Sequence, residues 1–444
     1  MSNVYSFRGG VHFTQKSPTL KLHTERFKDQ IKLCVPLFIP GEPDMTACVK
    51  AGDTVLRGQE IGIPSSDGCS VHSPVSGTVE GIVNIRLPSD KSREIPAIEI
   101  FSDGKMENIP LLQPFDKKLS ETTPEEIADV LKAASVVNLN YDGTAVYRKI
   151  LAYTGKIRRL IINCSETEPF HTNTLRLMFE RPADIIGGIK ILMRAFAITG
   201  ADIIMADSEE EADNSLLKAC GKSKYFKIRI FESRYPLSDP ALLTKAMIGY
   251  EVGPGTCPED FGCTVLSAET CAAVYHAFAF GLPLVERRIT VSGESVTHPK
   301  NLLVPFGISY TALIDKCDGI RNGPCALIDG NPLTGICISD YSAPVTASTS
   351  AVLLVPELLC RADASRVSAC INCGRCSAVC PRRLLPSYIA AAVNAGNMKK
   401  AVKLGAEFCS ECGLCSYVCP AHSGPMNRIL QAKNSAVSEK EADR

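Results

Sequence analysis

The sequence predicts a multidomain protein: a β-rich part, an α/β part, a second β part and a metal-binding C-terminal part. Three observations carry this. At 444 residues the chain exceeds what one hydrophobic core ordinarily organises. Its apolar pattern changes from short strand-like runs to strands alternating with helices, and back again. Eight of its 20 cysteines lie between Cys370 and Cys419. Hydrophobic residues at 45% and charged residues at 22% describe a globular chain. Forty-eight Lys and Arg balance 48 Asp and Glu, which argues against nucleic acid as the main partner. No apolar run approaches the roughly 18 residues of a membrane span. The longest such stretch, 272–285, is interrupted by His276 and Pro283. Residues 1–13 show no basic region followed by an apolar block, so a cytoplasmic location is expected, without a transmembrane segment.

Residues 1–112 read as strands. Apolar runs at 33–39 and 55–63 are separated by turn signals at 40–43, 51–53 and 66–68. The stretches VKAGDTVLRGQEIGIP (49–64) and VHSPVSGTVEGIV (71–83) each have a strand, a Gly turn and a strand. They resemble the barrel-sandwich hybrid of lipoyl and biotinyl domains. No Lys stands at a hairpin tip, so a structural role is expected rather than a carrier role.

Residues 113–285 switch to α/β. Thr123-Pro124-Glu125-Glu126 is a capping box with Pro in the first turn, opening a helix to about Ala134. Leu160–Asn163 reads as a buried parallel strand. Ile185, Ile186, Ile189, Leu192, Met193 and Phe196 recur at helical spacing. A strand at 201–206, a helix at 209–220, a strand at 226–231 and a helix at 242–248 complete a doubly wound pattern. Ligands in such sheets sit at the carboxyl ends of strands, which points to the segment just after Asn163.

Residues 286–350 fit a small β-grasp module, with strands at 288–292 and 302–305 and a helix at 310–316. Residues 351–430 hold the clustered cysteines, and 431–444 read as a frayed polar tail. Cys370-x2-Cys373-x2-Cys376-x3-Cys380-Pro381 is repeated as Cys409-x2-Cys412-x2-Cys415-x3-Cys419-Pro420. This is the bacterial ferredoxin run. Three thiolates wrap one [4Fe–4S] cube, and the fourth ligates the other. Cys370, Cys373, Cys376 and Cys419 are therefore assigned to one cluster, and Cys409, Cys412, Cys415 and Cys380 to the second. A zinc pair is the alternative, but a third Cys at the same spacing has no role there. The other twelve cysteines read as small buried hydrophobes, with Cys164 beside the expected ligand edge. Two cubes on one chain relay single electrons.

FRGGVH, VHSPVSGTV, LIINCSETEP, VPFGISYTALI and the doubled cysteine run occur in that order. In this order of modules the chain resembles the RnfC component of Rnf-type ion-translocating ferredoxin:NAD oxidoreductase complexes over nearly its whole length. The resemblance extends more distantly to the flavin- and NADH-binding subunit of respiratory complex I. Microcompartment cobalamin reductases and the RnfC-like proteins associated with proline reductase share the architecture. The resemblance implies an FMN/NADH-binding domain at 113–285, two [4Fe–4S] clusters, and redox-protein partners such as membrane Rnf subunits at the cytoplasmic face.

Residue by residue the carry-over is incomplete. The family's glycine-rich flavin loop corresponds to Asn138–Lys149, where only Leu139, Gly143 and Lys149 match. Asn138, Asn140 and Tyr141 stand at glycine positions, and Asp142 adds a negative charge. Such a loop should bind FMN poorly, and NADH oxidation becomes doubtful with it. Glu166, Glu168 and Arg176 match the family, which implies that Glu166, Glu168 and Lys149 are cofactor-binding remnants. Gly330–Gly335 matches loosely and reads as a turn. The function expected is an iron–sulfur relay to a membrane complex or a soluble reductase. An FMN-dependent NADH dehydrogenase, a cobalamin- or proline-reductase-associated protein and a docking subunit are the alternatives.

Overall fold

The computed structural model describes residues 4–13, 18–29, 31–88, 90–109, 118–207, 210–321, 323–357 and 367–442. The expected boundary at 112/113 lies outside them.

The first part of the chain contributes β1 (Thr24–Arg26), β2 (Lys32–Pro36), β3 (Met45–Ala47), β4 (Thr54–Val55), β5 (Glu60–Pro64), β6 (Val71–His72), β7 (Gly77–Leu87) and β8 (Asp90–Ser102). Two sheets, β2-β8-β7-β4 and β3-β5-β6, make the sandwich. Its inner face is Leu33, Val35, Val55, Ile61, Val79, Ile98 and Ile100, alternating along the strands as a half-buried sheet requires.

The α/β part holds α1 (Pro124–Ala133), α2 (Val146–Tyr153), β9 (Arg159–Asn163), α3 (Asn173–Glu180), α4 (Pro182–Ala195), β10 (Ala201–Ala206), α5 (Glu210–Cys220), β11 (Phe226–Phe231), α6 (Pro240–Ile248), β12 (Cys263–Ser267) and α7 (Ala268–Phe280). The Thr123–Glu126 capping box is formed in both directions. All four strands are parallel, in the order β11-β10-β9-β12. The chain leaves β9 toward β10 on one side and returns as β12 on the other. The crevice of this sheet therefore opens between the carboxyl ends of β9 and β12, at Asn163 and Ser267.

The third sheet departs from the expected boundaries. β13 (Glu286–Ser292), β14 (Lys300–Pro305), β15 (Cys325–Asp329) and β16 (Ile336–Ile338), with α8 (Tyr310–Lys316), form the β-grasp-like unit. The sheet also takes in β17 (Ala351–Pro356) as an inner strand between β13 and β15, past residue 350. β1 pairs in parallel with β14 as an edge strand, although residues 1–112 were expected to stay together. The reason is packing: one continuous core joins Leu33, Val35 and Ile61 of the sandwich to Ile289, Val291, Leu302 and Leu354 of this sheet. Glu286 bridges the same seam, paired to Arg26 and Arg57.

The C-terminal part is helical: α9 (Arg375–Val379), α10 (Pro386–Asn394), α11 (Met398–Lys403), α12 (Leu414–Tyr417) and α13 (Pro425–Ala442). The expected frayed tail from 431 is instead the second half of α13. Ile429, Ala432 and Ala436 fall on one helical face and are buried, which carries the helix past the expected end. No helix among the described residues is long and apolar enough to cross a membrane.

Candidate functional site: a cysteine pocket docked on a carboxylate-lined cavity

The two cysteine motifs build matching corners. In each, a glycine in the left-handed region starts a short helix: Gly374 (φ 74°) before α9, and Gly413 (φ 77°) before α12. Three cysteines stand at or beside this corner, and the fourth follows the short helix.

Cys409, Cys412 and Cys415 of the second motif share one apolar pocket with Cys380 of the first, walled by Leu384, Pro386, Leu414, Met426 and Ile429. The pocket brings together the four cysteines that the spacing assigns to one cluster. Burial pushes the Cys412 and Cys415 thiols up to about 12, so a strong local positive charge, such as bound iron would supply, is needed to take their protons. Backbone N–H groups reach the sulfurs: Leu384 donates to Cys380 Sγ at 3.3 Å and Glu411 to Cys409 Sγ at 3.4 Å. Such bonds stabilise the reduced state of a cluster. Among the described residues no group of His, Cys, Asp or Glu converges on a single ion.

The first motif is different in setting. Cys370 and Cys373 are exposed, while Cys376 and Cys419 are half-buried, with Ser423 Oγ 3.3 Å from Cys419 Sγ. No described residue packs within 4 Å of the position a Gly374 Cβ would take. A Cβ on Gly413 would lie 2.8 Å from the Leu333 carbonyl oxygen. The second motif therefore seats on the body of the protein, and the first looks outward.

Residues from three distant segments make that seat. Tyr235 donates its hydroxyl to the Cys412 carbonyl at 2.9 Å. Gly10 N–H donates to Val379 O at 2.9 Å, and a Cβ on Gly9 would sit 2.7 Å from the same oxygen. Phe13 packs on both Tyr235 and Tyr417. Arg382 ties the module to the Val252 carbonyl at 2.8 Å. Sequence reasoning missed Tyr235 and the function of Gly9-Gly10. The only local signal was the glycine pair itself.

Behind the seat lies a cavity of about 530 Å³, enclosed by the sandwich, the α/β part and the third sheet. Asn163 and Ser267, at the carboxyl ends of β9 and β12, line it, as do Ser165 and Glu166 of the segment after Asn163. Glu166 and Glu168 both line it. Asn331 and Thr334 of the 330–335 segment line it too. That segment was expected to be a plain turn. It touches the cavity on one side and the Gly413 corner, through Leu333, on the other.

Lys149 does not belong to the cavity. Its amine is held by Glu259 at 3.1 Å and Asp142 at 3.2 Å, because the acid at position 142 captures it. Arg176 is likewise turned away, bonded to Glu180 and to the Leu20 carbonyl. Cys164 is fully buried and packs in the core.

Burial pushes the Glu166 carboxyl up to about 8, moderated by the Thr174 N–H it accepts at 2.8 Å. It pushes Glu168 up to about 7, moderated by the Ser238 hydroxyl at 2.5 Å. Burial takes His171 down to about 4. The folded Glu166 carboxyl holds its proton more tightly than in the unfolded chain. Its contribution to stability is therefore full below pH 4.5 and is lost as pH rises toward 8. Glu166→Gln is expected to flatten this decline and to raise the apparent melting temperature at about pH 8.5 more than at about pH 5. Thermal unfolding of both proteins across that range checks it, at about 1.4 kcal/mol per pKa unit as an upper bound. An equal shift at both pH values would mean that the carboxyl is ionised throughout.

The residues present do not suit the phosphate end of FMN. Among the described lining residues there is no Lys or Arg, against four carboxyl groups, Asp142, Glu166, Glu168 and Asp329. Three of the loop amides are already bonded within the protein: Asn138 N to Thr144 O, Gly143 N to Asn138 O, and Leu139 N to Thr270 Oγ1. Asn140 keeps the left-handed φ of 66° that suits a glycine, and Tyr141 packs its ring against the sheet cluster of Ile161 and Ile204. The eight cysteines, in contrast, suit two [4Fe–4S] clusters.

Comparisons with known proteins place these modules. Residues 5–105 match the RnfC barrel sandwich hybrid domain, 131–276 the Nuo51 FMN-binding domain, and 369–423 a 4Fe-4S dicluster domain. The chain is 30% identical over 411 residues to the C component of the ion-translocating oxidoreductase complex of Rhodobacter capsulatus, covering 90% of this chain and 77% of the relative. It is 28% identical to the C component of the Na(+)-translocating ferredoxin:NAD(+) oxidoreductase complex of Acetobacterium woodii, covering 87% and 86%. Among solved structures, a chain of an NAD+-reducing [NiFe]-hydrogenase in the H2-reduced state matches with a TM-score of 0.49 at 14% identity. The match covers 73% of this chain and 64% of that one, less than two thirds of its length. The doubled cysteine corner, the sandwich and the identity over most of both chains make this an iron–sulfur electron-transfer protein, and the chain belongs to the RnfC family.

Proposed function

We propose that the chain relays single electrons through two [4Fe–4S] clusters between the body of the protein and a redox partner in a membrane complex. The cluster on Cys380, Cys409, Cys412 and Cys415 is the inner station. The cluster on Cys370, Cys373, Cys376 and Cys419 is the outer one. The observation that carries this reading is the asymmetry of the corners: Gly413 is packed against Leu333, whose segment lines the cavity, and no described residue lies within 4 Å of a Cβ on Gly374. In this reading the sandwich and the third sheet frame the relay, and the chain works at the cytoplasmic face without crossing the membrane.

A second reading, FMN-dependent NADH oxidation, is favoured by the cavity retained at Asn163 with Glu166 and Glu168 on its wall. The acidic lining counts against it. Anaerobic purification with iron, sulfide and flavin measured on one sample separates the two. About eight irons and no flavin per chain is the expected result. About eight irons with one FMN would move hydride chemistry back into the cavity. About four irons or fewer after reconstitution would sink the two-cluster relay.

A further inference from the structure

The chain has no net charge, yet its cluster module is strongly basic. Residues 367–436 hold eight Lys and Arg against two acids, Glu407 and Glu411. The rest of the chain carries the compensating negative excess. Glu411 is neutralised by Lys433. Arg375, Arg383, Lys399, Lys400 and Arg428 are exposed, and no carboxylate among the described residues pairs with them. The asymmetry is therefore a field around the clusters and not a balanced surface.

The outer corner lies within this field. Every residue from Val367 to Arg375 is exposed, including two of the four cysteines assigned to the outer cluster. Between those cysteines Ile371 is 63% exposed, and on α10 Tyr388 is 64% exposed. An exposed apolar side chain at the sulfur-bearing loop, Ile371, set in a basic module, makes the apolar centre and charged rim of a transient protein interface. A lipid surface would also attract the charge, but it accepts no electron. Electron tunnelling weakens steeply with distance, so the exposed cluster is where a second protein must come close.

We propose that the face around Cys370–Arg375 docks an acidic one-electron protein, which takes electrons from the outer cluster. This rests on the relay reading and names the chemistry of its partner. In the step, a reduced outer cluster loses one electron and returns to its oxidised state. The partner's metal centre gains that electron, and no proton or bond is exchanged. The charges of Arg375 and Arg383 steer the approach.

Rubredoxin, which is acidic, and mitochondrial cytochrome c, which is basic, serve as probes. Both are mixed in a stopped-flow cell with the dithionite-reduced full chain, whose iron content and cluster spectra are recorded on the same sample. The rubredoxin rate constant is expected to fall about tenfold from roughly 20 to roughly 500 mM NaCl, and the cytochrome c rate to hold or rise. Charge reversal at Arg375→Glu with Arg383→Glu is expected to slow rubredoxin about fivefold at low salt with cluster spectra unchanged. A second variant, Lys399→Glu with Lys400→Glu on α11, should give a smaller decrease in the same direction.

A rubredoxin rate that is flat with salt, or unmoved by both variants, overturns the docking face while the clusters still stand. Co-sedimentation with phosphatidylglycerol vesicles that also blocks rubredoxin exchange would assign the face to lipid and overturn it as well. A wild-type sample without clusters that exchanges with neither probe would instead remove the relay reading, and this proposal with it.

Discussion

Replacing Cys412 with serine is expected to halve the iron, from about eight to about four atoms per chain, and to leave one intact cluster. Cys412 lies in the enclosed pocket with Cys380, Cys409 and Cys415, and its carbonyl is fixed by Tyr235. A serine there offers a hydroxyl of far higher pKa than a thiol, in a site where burial already opposes the anion. Loss of that ligand therefore costs the cube. The crossed pairing makes a sharper claim. Cys380→Ser should leave the same residual cluster as Cys412→Ser, although Cys380 belongs by sequence to the other motif. Cys370→Ser and Cys419→Ser should each leave the complementary cluster. Iron analysis with electron paramagnetic resonance of the dithionite-reduced proteins reads both. The fully loaded protein should show the broadened spectrum of two coupled spins, and each variant the simple spectrum of one. Cys48→Ser, at an exposed sandwich position with no assigned ligand role, is the control and should keep all the iron. If Cys380→Ser matched Cys370→Ser instead, each motif would hold its own cube and the pairing would be wrong.

The legible and illegible parts of this molecule divide by the range of the forces involved. Cysteine spacing was readable because three residues per corner is a local geometry, set by one turn and one glycine. The crevice after Asn163 was readable because a short buried run such as Leu160–Asn163, set between helical segments, reads as an inner parallel strand, and its carboxyl end is where such a sheet opens. The seat of the relay was not readable. Gly9 meets Val379, Tyr235 meets Cys412 and Leu333 meets Gly413, and each of these contacts joins segments far apart in sequence. No period or turn signal encodes such a partner. The strand Ala351–Pro356 was cut off at the expected boundary because its apolar run matches any buried strand, and its place between β13 and β15 is a tertiary fact. Lys149 failed for a similar reason. Its identity matched the family, but the neighbouring change to Asp142 supplied a closer partner along with Glu259. The basic cluster module was hidden by the balanced total charge, which averages over parts that face different partners.

Arg287→Met is expected to be the most destabilising single change outside the cysteines, at about 3–5 kcal/mol. Arg287 sits on β13 with its side chain fully buried, 2.9 Å from Glu269 on α7, itself almost completely buried. It also donates to Asn140 Oδ1 at 2.6 Å and to the Ala347 carbonyl. One guanidinium thus holds the third sheet, the eroded flavin loop and α7 together, and Asn140 and Ala347 both line the cavity. Removing it leaves the Glu269 carboxylate without its cation in a site closed to water. The pair is also imperfectly satisfied: Glu269 Oε1 and Arg287 Nε have no hydrogen-bond partner among the described residues. That detail predicts the rescue. Combining Arg287→Met with Glu269→Met removes both charges and should recover more than half of the loss, because the desolvation cost of the pair disappears with it. Anaerobic urea unfolding of the wild type, both single variants and the double variant gives the coupling directly. A single-variant loss below about 1 kcal/mol would show that the pair is solvated and that the cavity wall is held by other contacts. A double variant as unstable as Arg287→Met would show that the bonds to Asn140 and Ala347, and not the charge pair, hold the three parts together.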